Sequence, residues 1–214
     1  MIAGALVGPA LTALGVAGAL VAFWQGRPWA YGAAKAVASL GFLATALAAG
    51  AGAEGWTRWA LAALALSAGG DVALAVRSRR GFLGGLALFL AAHATFAVAF
   101  AVRGVAALAL IAAGVGLSLA LALGWQAWRA RLPEAMRAPV AAYAVVLGAM
   151  VATVLATGAA HPAPVLVVGA VLVAGSDLAV ARERFATKGF VNKAIGLPTY
   201  YLGQTLVALA LAGA

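Results

Sequence analysis

The chain has no cysteine among its 214 residues, and only 9% of its side chains are charged. The missing cysteine excludes a disulfide framework, a thiolate zinc site and a cysteine nucleophile. The scarcity of charge excludes more. Soluble domains carry about a quarter charged and about half apolar residues, whereas this chain is 66% hydrophobic. Residues 138–181 hold a single charged side chain, Asp177. That composition rules out a water-soluble enzyme and a disordered tail. Acids are scarcest of all, five Asp and Glu against 14 Lys and Arg, for a formal net charge of +9. In so apolar a chain the basic excess is a topology signal rather than a polyanion surface, and no nucleic-acid partner is expected.

What is present is a series of long apolar runs. A membrane-crossing helix needs about 20 such residues, because each rises about 1.5 Å through a core about 30 Å thick. Charged residues, Pro and Gly cut the chain into eight segments: 2–24, 30–49, 56–76, 82–102, 105–127, 139–157, 163–181 and 193–212. The first has no basic residue ahead of Arg27 and too long an apolar run for a cleavable signal. All six Trp fall at proposed helix ends, where amphipathic rings favour the headgroup layer. The odd-numbered loops hold Arg27; Arg77, Arg79 and Arg80; Arg129, Arg131 and Arg137; and Arg182, Arg184, Lys188 and Lys193. The even-numbered loops hold only Arg58 and Arg103. Eleven against two places the odd loops in the cytoplasm and both termini outside. The expected fold is therefore all-α: a polytopic transmembrane helical bundle of eight membrane-spanning helices. It forms one domain over residues 1–214, in a bacterial-type inner (plasma) membrane.

A weak internal repeat runs at an offset of 106 residues, aligning Ala68-Gly69-Gly70-Asp71-Val72-Ala73 with Ala174-Gly175-Ser176-Asp177-Leu178-Ala179. Arginines follow both copies. Residues 1–106 and 107–214 would then be two parallel four-helix halves, related by an axis along the membrane normal.

Ionisable groups inside a bilayer are costly and usually functional. Asp71 and Asp177 each lie five or six residues from the cytoplasmic end of their segment. Lys35 enters helix 2 from the same side with Ser39 one turn on, and Tyr143 is one turn into helix 6. Asn192, Gly196, Tyr200 and Gln204 recur every four residues, forming one stripe. His93 lies near the middle of helix 4 among Phe82, Phe89, Phe96 and Phe100. All but His93 read as inner-half residues. Each also has a plainer reading: a hydrogen-bonded packing aspartate, a snorkelling lysine, a core histidine, or Tyr and Gln as interhelical glue. Two aspartates at matching depth, each with small neighbours that let helices approach, resist that reading, and they are expected to face one cavity.

Gly70-Asp71 followed by Phe82-x-x-Gly85-x-x-x-Phe89-x-x-x-His93-x-x-Phe96 resembles the third and fourth helices of the YhhN-type lysoplasmalogenase family. Gly169-Ala170, Ser176-Asp177-Leu178 and Tyr200-Tyr201-x-x-Gln204-x-Leu206 resemble its last two. Lys35 matches the family's lysine, with Ala36 where proline is usual and Phe96 where tyrosine is common. The resemblance implies an eight-helix enzyme that cleaves the vinyl-ether bond of lysoplasmalogens to a fatty aldehyde and a glycerophospho-alcohol. It also implies Asp71 and Asp177 as catalytic residues and a lysophospholipid substrate among membrane lipids; no cofactor and no metal are expected.

The chemistry agrees. Vinyl ethers hydrolyse by proton addition to carbon, giving an oxocarbenium ion that water captures. That calls for a carboxylic acid and a partner carboxylate, the two-carboxylate logic of glycosidases; an apolar site and a neighbouring carboxyl push such groups toward different protonation states. Lys35 could bind the headgroup phosphate, and His93, Tyr143, Asn192, Tyr200 and Gln204 could orient water or the ether oxygen. The alternative is a small proton-coupled carrier whose aspartates load and release protons. A metal hydrolase is the third option, but His93, Asp71, Asp177 and the outer-loop His161 lie at unequal depths, which makes a poor ligand set.

Overall fold

The structure, a computed structural model, describes residues 2–53, 55–76 and 78–212. Among these the chain is helical without a strand: α1 (Ile2–Trp24), α2 (Pro28–Ala48), α3 (Gly55–Ala75), α4 (Arg79–Arg103), α5 (Ala107–Trp128), α6 (Glu134–Ala160), α7 (Pro164–Phe185) and α8 (Phe190–Leu209). A short 3-10 turn, Arg129–Arg131, follows α5. Every helix overlaps one of the eight apolar segments. In a bilayer no water pairs with stray backbone groups, so the chain has little choice but continuous helix between its polar breaks. The starts are set locally. Pro28 and Pro164 open α2 and α7, where the missing N–H costs nothing. Ser78 caps α4, its Oγ accepting from the Gly81 N–H at 2.9 Å. Arg77 of the basic loop lies outside the described residues.

Among the described residues six helices are long and apolar enough to cross a membrane: α1, α2, α4, α5, α6 and α7. The expected count was eight. The other two, α3 with 21 residues and α8 with 20, have the length of a span but a more polar make-up. Many of their polar side chains face protein: Thr57, Ser67 and Asp71 of α3, and Asn192, Gln204 and Thr205 of α8, are all buried. A helix shielded by its neighbours tolerates polarity that a lipid-facing one does not.

The helices close a ring. α2 touches α3, α3 touches α4, α4 touches α6, α6 touches α7, α7 touches α8, and α8 returns to α2. α1 lies outside on α2 and α8, and α5 lies outside on α6. α5 buries no residue and exposes Leu108, Ile111, Val115, Leu119 and Leu123, an apolar flank suited to lipid tails. At the even-loop end the ring is filled by Phe42, Leu64, Phe96, Phe100, Met150, Val154 and Leu166, all buried. Phe96 and Phe100 stack with centroids 5.8 Å apart. Thr157 ties α6 to α4 there through the Phe100 carbonyl at 2.8 Å.

Glycine sets the closest approaches. A Cβ at Gly169 would stand 2.9 Å from the Gly203 carbonyl oxygen, and one at Gly203 would stand 2.7 Å from the Gly169 oxygen. The α7 and α8 backbones are therefore in contact, the small-residue packing that membrane helices use for want of a hydrophobic drive between them. Because the obstructing atoms are backbone, Gly203→Ala must push the helices apart, at a cost of about 1–3 kcal/mol. Gly175, with open space around it, should accept Ala neutrally or with slight gain. Thermal unfolding in detergent, wild type against the two variants, checks this contrast.

Candidate active site

The polar residues collect in the ring's interior, toward the odd-loop end, in two groups. The first is centred on Asp71 of α3. Lys35 Nζ of α2 lies 3.0 Å from Asp71 Oδ1 and donates to the Asp71 main-chain oxygen at 3.4 Å. Ser39, one turn beyond Lys35, donates to Asp71 Oδ2 at 2.8 Å, and Tyr200 of α8 donates to the same oxygen at 3.0 Å. Tyr201 donates to the Lys35 carbonyl at 3.1 Å and lies 3.4 Å from Ser39 Oγ. Asp71 is 2% exposed and Lys35 5%. Three helices thus meet on one carboxylate, and a cation and two hydroxyls compensate its burial.

The second group is centred on Asp177 of α7. Tyr143 of α6 donates to Asp177 Oδ2 at 2.8 Å, and His93 Nε2 of α4 stands 3.7 Å from that oxygen. The His93 and Tyr143 rings meet edge to face at 5.4 Å. The Asp177 side chain is 20% exposed, against 3% for Asp71. One aspartate is sealed and the other partly open. The partners of the two carboxylates are different residues. An aromatic wall joins the groups: Tyr200 meets Phe89 edge to face at 5.8 Å, and Phe89 is one turn before His93 on α4. Phe89 also presses on Gly70, where a Cβ would stand 2.7 Å from its ring.

Lys35, Asp71 and Tyr200 meet in the first group, and Tyr143, Asp177 and His93, the last expected deeper than the rest, meet in the second. Asn192 falls elsewhere, and Gln204 lies deeper. Asn192 is in the first turn of α8, donating back to Glu183 Oε2 at 2.7 Å and to the Thr187 carbonyl at 2.5 Å. Glu183 also accepts from the Gly189 N–H at 2.9 Å, so Asn192 orders a turn. Gln204 sits fourteen residues past the start of α8, beyond the midpoint rather than in the inner half, fully buried one turn beyond Tyr200 and within reach of its hydroxyl. Lys35, expected free for a phosphate, is engaged by Asp71.

Ser39 and Tyr201 were the missed contributors. Ser39 had a signal, its place four residues after Lys35; Tyr201 had its adjacency to Tyr200 and its place in the motif of the last helix. Among the described residues no group of three His, Cys, Asp or Glu is placed to hold a metal ion. His161 lies at the other end of the bundle, over Gly104.

A ring of apolar helices holding two carboxylates near one end marks a helical protein of membrane type with an interior polar site. The family model for the YhhN family matches residues 31–211, and the chain belongs to that family. No curated protein and no solved structure matches it.

The Lys35–Asp71 ion pair has a measurable signature. Removing one partner of a buried pair strands the other charge and costs about 3–5 kcal/mol. Lys35→Met and Asp71→Asn should each destabilise the protein by that order, while the double variant loses less than the sum. Thermal unfolding of the three variants in detergent gives the coupling.

Proposed function

We propose that this chain is a membrane-embedded hydrolase that cleaves the vinyl-ether bond of a lysophospholipid, releasing a fatty aldehyde and a glycerophospho-alcohol. The observation that carries this is Asp177: a partly open carboxyl, held by the Tyr143 hydroxyl and without the cation that engages Asp71. Vinyl ethers yield to protonation at carbon, and a carboxylic acid beside lipid-facing space supplies it. Family membership is consistent with hydrolysis. The reaction uses water and the chain's own side chains.

The phosphate has a cationic berth in this reading. An open cleft of about 480 Å³ is lined by Trp128, Arg131, Arg182, Phe185, Ala186 and Thr187. Arg182 is five residues beyond Asp177, or about 7.5 Å along the helix. A headgroup held there would leave the ether bond to reach inward toward Asp177. All eight helices cross the membrane in this proposal, as one domain with both termini outside and the site in the cytoplasmic leaflet. Two parallel halves are consistent with α1 and α5 occupying matching outer positions on α2 and α6. The carrier alternative is not favoured, because buried apolar side chains fill the even-loop end.

Two measurements test this reading. In heavy water, a lysoplasmalogen substrate should give aldehyde carrying one deuterium on the carbon next to the carbonyl. Sampling must precede spontaneous exchange at that carbon. Aldehyde without early deuterium would exclude proton addition as the first step. For orientation, the cysteine-free sequence allows single-site labelling. Arg58→Cys should react with an impermeant maleimide from outside intact cells, and Arg80→Cys only after permeabilisation. The reverse pattern would invert the topology and the leaflet of action.

A further inference from the structure

Asp71 and Asp177 look alike in sequence, yet their surroundings differ in the one respect that matters for proton transfer. Asp71 is enclosed, with Lys35 on Oδ1 and the Ser39 and Tyr200 hydroxyls on Oδ2. Its charge is matched by a full cation, and both oxygens are occupied, so neither water nor a lipid carbon has a free approach. Asp177 has a single hydroxyl donor on Oδ2. His93 stands at 3.7 Å, beyond hydrogen-bond length. Among the described residues no Lys or Arg forms an ion pair with Asp177, no donor occupies its Oδ1, and its side chain is 20% exposed.

We infer that the proton cycle of the proposed hydrolysis runs on Asp177 alone, with Asp71 a positioning residue that acts through Tyr200. The inference rests on the hydrolase reading above and divides its labour.

One carboxyl suffices for the bookkeeping of atoms. The Asp177 acid gives its proton to the β-carbon, and the C=C π pair forms the new C–H bond. An oxocarbenium ion results, facing the Asp177 carboxylate. Water attacks the cationic carbon, its oxygen forming the new C–O bond, and its proton passes to Asp177, restoring the acid. The hemiacetal then breaks its bond to the glycerol oxygen, which leaves with the electron pair and takes the hemiacetal proton as the aldehyde C=O forms. One water is consumed and nothing is oxidised or reduced.

Asp71 shapes this site from a distance. It fixes the Tyr200 hydroxyl; the Tyr200 ring abuts Phe89; and Phe89 shares a face of α4 with His93, whose ring braces Tyr143. Loss of Asp71 should therefore loosen substrate placement more than the proton steps.

The test compares Asp177→Asn with the charge-neutral double variant Lys35→Met/Asp71→Asn, which leaves no stranded charge. With a lysoplasmalogen, Asp177→Asn should stay folded and lose about 10²–10⁴-fold in kcat, the usual weight of general acid–base catalysis. The double variant should keep kcat within about tenfold of wild type, raise KM, and still place deuterium in the aldehyde. A folded double variant as inactive as Asp177→Asn would overturn the assignment.

An activity-free readout separates this from failure of the hydrolase reading, which no aldehyde from wild type would signal. Asp71 and Asp177 are the chain's only aspartates, so carboxyl-¹³C aspartate marks these two groups alone. The infrared carbonyl band of a protonated aspartic acid should shift with the label in wild type and vanish in Asp177→Asn. Its absence from wild type, or persistence in Asp177→Asn, contradicts the inference.

Discussion

The ion pair between Lys35 and Asp71 is the constraint around which the interior is arranged. A charge deep in an apolar bundle is tolerable only if paired and hydrogen-bonded. Lys35 and Asp71 meet at 3.0 Å with Ser39 and Tyr200 completing the carboxylate's shell. That requirement draws α2, α3 and α8 to one point and gives the ring its inner wall. Exchange for apolar residues could leave such a pair no less stable, so its value lies in where it puts its neighbours. Tyr200 is oriented by it, Phe89 packs on Tyr200 and on Gly70, and α4 is thereby set at the depth where His93 faces Tyr143 and Asp177.

The bundle is polar at one end and closed at the other. Phe42, Leu64, Phe96, Phe100, Met150, Val154 and Leu166 are buried across the even-loop end, where a carrier needs a second opening. At the odd-loop end Asp177 is partly exposed and Arg131 and Arg182 line an open cleft. A one-sided polar site suits a lipid that enters with its tail in the membrane and its headgroup at the surface. It offers a transported solute no exit.

Helix placement was legible because its causes are local. Basic residues and Trp cluster near the ends, and every predicted segment meets an observed helix, although α6 starts at Glu134 and runs through Pro139 rather than opening there. The number of spans was less legible: α3 and α8 fall short of a span by hydropathy because their polar residues face protein, which composition cannot reveal. For the site, Asp71 and Asp177 stand out by their rarity. The pairing of Lys35 across 36 residues follows from tertiary packing and has no spacing signature. Asn192 misled for a related reason: its place on the Tyr200 stripe is real, but the turn before α8 brings Glu183 back to it. Gln204 shares that stripe too, and its depth depended on where α8 starts.

The most direct test of the account is product analysis with the purified protein in lipid nanodiscs. It would be given matched lysophospholipids whose chains are joined by a vinyl ether, a saturated ether or an ester. The account predicts aldehyde from the vinyl ether alone, and none from that lipid with Asp177→Asn. Fatty acid released from the ester, or vinyl-ether cleavage that survives Asp177→Asn, would contradict it.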